Sequence, residues 1–255
     1  MKRLVVVADD FGLCQSVNEG VMHSYVEGIV TELSLMLGSP GTDDAIELAK
    51  SENIHEVGLH CLLTFWKDNG KITRRDDYRK LFDELSQEAI GQLFHKEIEL
   101  FINKVGRKPS HLTSQYGIHG HDKLLPVVLE YCRTERVPIR LPHTPFVSSL
   151  EQIDISPNNL RENEIKTTDA RASFEIGDEI TVRNSILKKL ARVNESESFE
   201  LLFHPGIVSK ELAVLSSMVY ERERDLSLAT DGSLEIEIKN LGFNVVTYSE
   251  AVDFT

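Results

Sequence analysis

A chain of 255 residues, 41% of them hydrophobic, can bury one large core, so a single α/β domain is the simplest expectation. Its 41 acidic residues outnumber its 28 lysines and arginines, and the formal charge of −13 argues against nucleic acid or an anionic membrane surface as a partner. A neutral or cationic ligand fits this charge better.

Cysteine usage and the N-terminal segment indicate the cellular compartment. The three cysteines are far apart in the chain and do not suggest a disulfide framework. The opening MKRLVVVADDFG has only a short apolar run, unlike a signal peptide, and no stretch approaches the about 20 apolar residues of a membrane span. We therefore expect a cytoplasmic protein with no membrane partner, for which a homodimer stays open.

Predicted strands and helices alternate along the whole chain. Short apolar runs predict strands at 4–8, 33–37, 57–61, 111–114, 138–141, 199–203 and 243–247. Helical periodicity predicts helices at 16–26, 43–50, 86–105, 124–136, 180–193 and 212–226, the first with a capping box from Ser16 to Glu19. The segment at about 142–178 lacks a sustained period and is interpreted as a loop-rich insertion within one domain spanning 1–255. This alternation predicts a parallel sheet, closed or nearly closed, with catalytic groups at the carboxyl ends of its strands.

Polar clusters lie at the ends of four predicted strands. Asp9 and Asp10 follow the first, His60 ends the third, 115–121 follows the fourth, and His204 follows a late strand. Adjacent carboxylates after five apolar residues favour a cation site with one carboxylate left for proton transfer, although a helix N-cap beside a solvent-facing Asp is the alternative. Either histidine, taken alone, would more often be a core residue. Their common position at strand ends favours a shared site.

Four sequence motifs carry a family resemblance. Segments 8–13 and 17–20 read ADDFGL and VNEG, segments 58–60 and 63–64 read GLH and LT, segment 106–112 reads GRKPSHL, and segment 203–206 reads FHPG. In this order they resemble the motifs of the YdjC-like carbohydrate deacetylases, whose members include chitooligosaccharide deacetylase. The resemblance covers nearly the full length. It implies an irregular (β/α) barrel of mostly parallel strands, forming a single domain.

The resemblance also implies a reaction and its residues. The expected activity is the removal of acetyl groups from N-acetylated sugars or short oligosaccharides such as chito-oligosaccharides, with one divalent metal ion, Mg²⁺ or Zn²⁺. Asp10 and His60 would be metal ligands, Asp9 the base that activates water, and His204 the acid that protonates the leaving amine. Two rivals stay open: a metal-dependent amidase acting on a non-sugar N-acyl compound, and a non-catalytic sugar-binding homologue.

The chain departs from the family at the third metal ligand. Where a histidine-rich run is usual, segment 113–121 reads TSQYGIHGH, so that Gln115 replaces the usual histidine. We favour His119 as the third ligand. Gln115 could instead offer an amide oxygen to Mg²⁺, or His119 and His121 could merely flank a glycine turn.

Three further residues are candidates on the substrate side. Trp66 and Tyr116 adjoin the expected metal residues, and their rings could stack on sugar rings, although core packing is the more frequent role of aromatic residues. Arg222 could orient Asp9 or a neighbouring group. The alternative for Arg222 is a solvated helix charge.

Overall fold

A parallel β-sheet forms the centre of the molecule, with helices packed on its outer side. The computed structural model describes residues 1–64, 75–142, 155–172, 175–195 and 197–252. The strands are β1 (Lys2–Phe11), β2 (Glu32–Leu35), β3 (Val57–Cys61), β4 (Leu112–Ser114), β5 (Ala170–Arg171), β6 (Ser198–Phe203) and β7 (Phe243–Val245). The helices are α1 (Gln15–Val26), α2 (Thr42–Ser51), α3 (Arg75–Glu84), α4 (Gln87–Val105), α5 (Leu125–Glu135), α6 (Pro157–Glu162), α7 (Glu179–Leu190), α8 (Lys210–Leu215), α9 (Tyr220–Thr230), α10 (Gly232–Asn240) and α11 (Tyr248–Ala251).

The sheet is curled and wholly parallel among the described strands. Its order is β4-β3-β2-β1-β6-β5, and β7 pairs with the beginning of β1. Past β4, Arg140 donates its backbone N–H to the Leu112 carbonyl, and Ile139 donates to the carbonyl of Lys166, which precedes β5. The two outer strands therefore approach each other across a short irregular segment. The predicted irregular α/β barrel, a single domain of parallel strands, is confirmed as this curled sheet.

Most predicted elements are confirmed, with four corrections. The capping box at Ser16 is wrong, because α1 begins one residue earlier, after Cys14, and has no side-chain cap. The predicted strand 138–141 makes only an isolated bridge to Leu112, and the predicted helix 212–226 is split into α8 and α9. The supposed insertion at 142–178 contains α6 and β5 in its described part, so it supplies a strand to the sheet.

Among the described residues, no helix has the length and apolar character needed to cross a membrane.

The two faces of the sheet differ in chemistry. Side chains that alternate along a strand point to opposite faces, and the outward set, such as Leu4, Val6 and Leu201, joins the large apolar core beneath the helices. The inward set includes buried polar groups, among them Glu32 on β2 and Glu200 on β6. The interior of the curled sheet is therefore polar, and every group within it needs a partner.

Helix α1 is held against the sheet by the motif at 17–20. The Asn18 side chain accepts a hydrogen bond from the Gly12 N–H (2.7 Å) and donates to the Gly41 carbonyl (2.9 Å), which fixes the turn after β1. A Cβ atom added at Gly20 would lie 2.5 Å from the Cα atom of Gly206. The absence of a side chain at Gly20 thus lets α1 touch the loop that follows β6.

We expect Gly20→Ala to destabilise the fold by about 1–3 kcal/mol, because the added methyl group must displace backbone rather than a flexible side chain. Gly232→Ala is the matched control, since a Cβ atom at Gly232 in α10 meets nothing within 4 Å. Urea unfolding of both variants measures the difference. Equal stability of the two would contradict the close contact at Gly20.

Candidate active site

The carboxyl ends of β1, β3 and β6 bring four of the predicted site residues together. The His60 Nε2 atom lies 3.3 Å from Asp10 Oδ1, and its Nδ1 atom lies 3.8 Å from Asp9 Oδ1. His204 Nε2 lies 3.9 Å from Asp9 Oδ2. Asp9, Asp10 and His60 are buried, whereas His204 is partly exposed. The two histidines thus flank the pair of carboxylates.

A backbone irregularity allows both carboxylates to enter one site. The sequence places Asp9 and Asp10 after the first strand, but β1 continues through them to Phe11. Neighbouring residues of a regular strand point to opposite faces. Here the β1–β2 register shifts between Ala8 and Phe11, and Asp10 has φ 66°, a left-handed conformation that Asp tolerates better than most residues. Both side chains consequently reach His60.

Each carboxylate has its own arginine. Arg140 donates through Nη1 and Nη2 to the two oxygens of Asp9, at 2.6 and 2.9 Å, and Arg222 donates through Nη2 to Asp10 Oδ2 at 2.6 Å. Burial acts to raise the pKa of Asp9, but Arg140 and the nearby histidines outweigh it and hold that pKa well below its usual range. Burial likewise opposes Arg222 and the histidines at Asp10, whose pKa is lowered overall. Both residues are therefore carboxylates at neutral pH.

Arg140 is the site residue that the sequence analysis missed. It lies in the segment 138–140, where an apolar residue, Ile139, precedes it and its backbone pairs with Leu112. The only signal in the sequence is that a charged residue, Arg140, follows an apolar residue, Ile139, in a short segment predicted as a strand. Its partner Asp9 is 131 residues away in the chain, so no local pattern identifies the pair.

Arg222 is not a solvated helix charge, because its side chain is fully buried at the start of α9. In addition to Asp10, its Nε atom donates to the Met218 carbonyl at 3.2 Å. Its placement on Asp10 agrees with the orienting role and leaves its guanidinium inaccessible to a ligand. Arg222, predicted to bind substrate, is therefore interpreted instead as a buried hydrogen-bond partner of Asp10.

Hydroxyl groups surround the other nitrogen of His60. Its Nδ1 atom lies 2.8 Å from Thr113 Oγ1 and 3.4 Å from Ser34 Oγ, and these two hydroxyls also contact each other. Burial lowers the pKa of His60, and the pull of Asp9 and Asp10 in the opposite direction does not overcome it. The neutral ring is thus oriented from behind by Thr113, with Nε2 facing Asp10.

His119, favoured above as the third metal ligand, has partners within the protein at both ring nitrogens, which favours a structural role for it. Its Nδ1 atom contacts the Ser114 hydroxyl and its Nε2 atom lies 3.2 Å from the Arg140 carbonyl, so that both ring nitrogens are engaged in hydrogen bonds. A carbonyl oxygen only accepts, so Nε2 carries the proton and Nδ1 accepts from Ser114. Burial lowers the pKa of His119 to about 3. His119 is a neutral structural residue that supports the segment carrying Arg140.

Gln115 stands at the end of β4, directly after Ser114, which pairs with Cys61 of β3. The Tyr78 hydroxyl lies within hydrogen-bonding distance of both the Leu62 carbonyl (2.9 Å) and the Gln115 Oε1 atom (3.1 Å). This shared partner fixes Gln115 beside the end of β3, which carries His60. An amide oxygen retains a second lone pair, so Gln115 stays a candidate for a further ligand.

His204 lies where the chain leaves β6. Its backbone N–H donates to Asp225 Oδ2 at 2.9 Å, and its Nδ1 atom lies 3.9 Å from the same oxygen. Asp225 thus stands behind the ring while Nε2 faces Asp9. This arrangement, an imidazole between two carboxylates and open on one side, suits proton transfer to a ligand at the mouth.

Tyr116 is the aromatic candidate that lies within the described residues. Tyr116 is 46% exposed, has φ 54°, and meets the ring of Tyr78 edge-on with centroids 6.1 Å apart. An exposed ring next to Gln115 is available to a ligand. Trp66 lies outside the described residues.

The donor atoms fit part of a cation site. Asp10 Oδ1 and His60 Nε2 are 3.3 Å apart, close to the separation of neighbouring ligands on a divalent ion with bonds of about 2.1 Å. Within the described ranges, no three His, Cys, Asp or Glu side chains gather as a metal site. A carboxylate oxygen suits either Mg²⁺ or Zn²⁺ and an imidazole nitrogen suits Zn²⁺, so both ions stay candidates for this pair of donors.

Comparison with known proteins agrees with the motifs and the fold. The family model of YdjC-like proteins matches residues 3–239. A carbohydrate deacetylase of Brevibacillus brevis is 28% identical over 97% of this chain and 99% of its own, and a chitooligosaccharide deacetylase of Proteus mirabilis is 27% identical over 98% of both. The crystal structure of an Enterococcus faecalis V583 protein named for cellobiose-phosphate cleavage superposes with a TM-score of 0.80 at 22% identity over 99% of both chains, a likeness of fold. Since the family model covers most of the chain, the protein belongs to the YdjC-like family.

Proposed function

We propose that this chain is a carbohydrate deacetylase that hydrolyses the acetamide group of a small N-acetylated sugar. The observation that carries the proposal is the cluster of Asp9, Asp10, His60 and His204 at the carboxyl ends of parallel strands, where two carboxylates face two imidazoles. The names of the Brevibacillus and Proteus relatives, which match over almost the whole chain, support the sugar as substrate. Short chito-oligosaccharides are the specific substrates we infer.

In the proposed reaction, Asp9 and His204 move protons. Asp9 accepts a proton from the attacking water, and His204 donates one to the amine nitrogen as the carbon–nitrogen bond breaks. Both oxygens of Asp9 already accept one hydrogen bond each from Arg140, so the proton would be accepted on a remaining lone pair and would be held weakly. The exposed ring of Tyr116 would stack on the sugar, as would Trp66.

Asp10 and His60 would hold one divalent cation, with Gln115 as the third protein ligand. When bound, the cation supplies Lewis-acid polarisation of the acetamide carbonyl. Arg222 neutralises Asp10 through Oδ2 and leaves Oδ1 facing His60. Thr113 orients His60 from the opposite side of its ring.

The first test is acetate release from chito-oligosaccharides by the purified protein with Mg²⁺ or Zn²⁺. We expect activity on the sugars and a loss of about 100-fold or more in kcat for Asp9→Asn, because an amide cannot accept the water proton. Asp43→Asn, which removes an exposed carboxylate paired with Lys104, is the control and should retain full activity. Hydrolysis of a simple N-acetyl amide but of no sugar would identify a non-sugar amidase, and sugar binding without any hydrolysis would identify a binding protein.

The second test concerns Gln115. Gln115→His adds an imidazole beside the end of β3, and we expect zinc affinity to rise about 10-fold or more as the ligand set becomes two histidines and a carboxylate. Gln92→His, which places a histidine on the exposed side of α4, is the control for surface binding of zinc. Calorimetric titration of the metal-free proteins measures both affinities. Unchanged zinc affinity in Gln115→His would remove position 115 from the metal site.

The structural role of His119 predicts a pH effect. Its lowered pKa of about 3 means that, below about pH 6.5, the unfolded chain binds a proton that the folded chain does not, so stability is lost as pH falls. We expect the wild type to lose roughly 1 kcal/mol more than His119→Gln between pH 6.5 and 5.5. Urea unfolding in the presence of a chelator, with His95→Gln in the exposed face of α4 as control, measures this difference. Parallel pH profiles for wild type and His119→Gln would contradict a buried neutral imidazole.

A further inference from the structure

The C-terminal helix α11 places a tyrosine inside the curled sheet. The Tyr248 ring is fully buried, packs in a small cluster with Val5 and Val7 of β1, and stacks on His111 with ring centroids 4.9 Å apart. Its backbone N–H donates to Glu32 Oε1 at 2.7 Å. Val5 and Val7 precede Asp9 on the same face of β1, so Tyr248 lies directly beneath the candidate active site.

An unbroken chain of buried contacts leads from this tyrosine to the active site. The Tyr248 hydroxyl contacts Glu200 Oε2 at 2.5 Å, and Glu200 Oε1 accepts from Arg140 Nε at 2.5 Å. The two Nη atoms of Arg140 then donate to the two oxygens of Asp9. All four side chains are buried, so solvent cannot replace any of these contacts at low cost.

The geometry of the guanidinium explains why the contact at Nε matters. Its N–H groups form a rigid planar fork, so an acceptor at Nε determines where the two Nη groups point. Without Glu200 the fork could rotate and meet Asp9 with a single hydrogen bond. Arg171 also lies near Asp9, but the hydrogen bonds of its guanidinium go to the Leu141 and Ala172 carbonyls.

Tyr248 in turn supplies the hydrogen-bond donor for the second oxygen of Glu200. Burial, followed by the Glu200 carboxylate, raises the pKa of Tyr248 well above its usual range, so the hydroxyl stays a donor. A buried carboxylate that lacked this donor would have an unfilled oxygen. The family match ends at residue 239, so Tyr248 lies beyond the part of the chain that the family model describes.

We propose that Tyr248 and Glu200 are positioning residues that, through Arg140, orient Asp9 for the deacetylation inferred above. This inference rests on the proposed function for its kinetic consequence, but the orientation of Arg140 is a property of the free protein. It assigns to helix α11 a role in the reaction that acts through Glu200 and Arg140.

The kinetic experiment compares Tyr248→Phe with Tyr25→Phe, because the Tyr25 hydroxyl also donates to a glutamate, Glu56, which precedes β3 at the end of that strand remote from His60. We expect Tyr248→Phe to lower kcat about 5- to 10-fold with KM changed less than twofold, since a small misorientation of a catalytic group affects the transition state more than substrate binding. Tyr25→Phe should leave both constants unchanged. Equal kinetics for the two variants, or a loss confined to KM, would overturn the proposal.

A second measurement needs no substrate. Side-chain ¹⁵N NMR of the free protein, with the Arg140 signals assigned by their loss in Arg140→Lys, reports rotation of the guanidinium. We expect separate, slowly exchanging Nη signals in the wild type and in Tyr25→Phe, and faster exchange in Tyr248→Phe and in Glu200→Gln. Unchanged exchange in Tyr248→Phe would refute the positioning role even if Glu200→Gln failed to fold. If the wild type released no acetate from any sugar, the proposed function would fail while this measurement still decided the orientation of Arg140.

Discussion

The guanidinium of Arg140, held between Asp9 and Glu200, is the interaction on which the interior of the molecule depends. Two buried carboxylates, Asp9 and Glu200, accept hydrogen bonds from this one guanidinium. Leaving such charge unpaired in a protein interior costs several kcal/mol per ion. The Tyr248 hydroxyl, a neutral donor, satisfies the second oxygen of Glu200. The chain that follows β7 is therefore needed beneath the site.

A second constraint is the repulsion between adjacent carboxylates. Asp9 and Asp10 are consecutive, and the reversed backbone at Asp10 turns both side chains towards His60. Arg140 and Arg222 come from different parts of the fold and neutralise one carboxylate each. Because Arg222 takes only one oxygen of Asp10, the other stays directed at His60. The arginines thus separate the tasks of two chemically identical groups: Asp9 is bound on both oxygens, and Asp10 keeps one available.

The sequence predicts most strands and the polar residues at their carboxyl ends, because both depend on short-range patterns. The apolar run of β1, the turn that follows His204 and the periodicity of α4 are all short-range patterns, and the residues at strand ends converge once the strands are parallel. Arg140 and the true role of Arg222 could not be predicted in this way, since their partners lie 131 and 212 residues away. The sequence does indicate that the inner face of the sheet is polar, because polar and apolar residues alternate along Glu32–Leu35.

The hydrogen bonds of His119 could not be predicted from the sequence for a similar reason. His119 is the last histidine of the family's histidine-rich motif, and this favoured it as a metal ligand. The sequence of an irregular segment does not specify, however, which of its side chains point into the site. After Ser114 the chain enters a 3-10 segment, Gln115–Gly120, in which Tyr116 and Gly117 have positive φ. This reversal turns His119 back onto Ser114 and the Arg140 carbonyl. The histidine supports the site through the segment that carries Arg140.

The same contacts constrain how Asp9 can act as a base. A carboxylate that accepts two hydrogen bonds from one arginine is stabilised as an anion, and protonation of either oxygen weakens a charge-assisted contact. In the proposed reaction a proton on Asp9 would be short-lived, and the partly exposed His204, whose Nε2 atom lies 3.9 Å from Asp9 Oδ2, would be placed to receive it. Transfer between these two groups would regenerate the Asp9–Arg140 pair and charge the imidazole that must protonate the amine. The strength of the Arg140 contact therefore favours passage of the proton from the water to the leaving group, rather than its retention on Asp9.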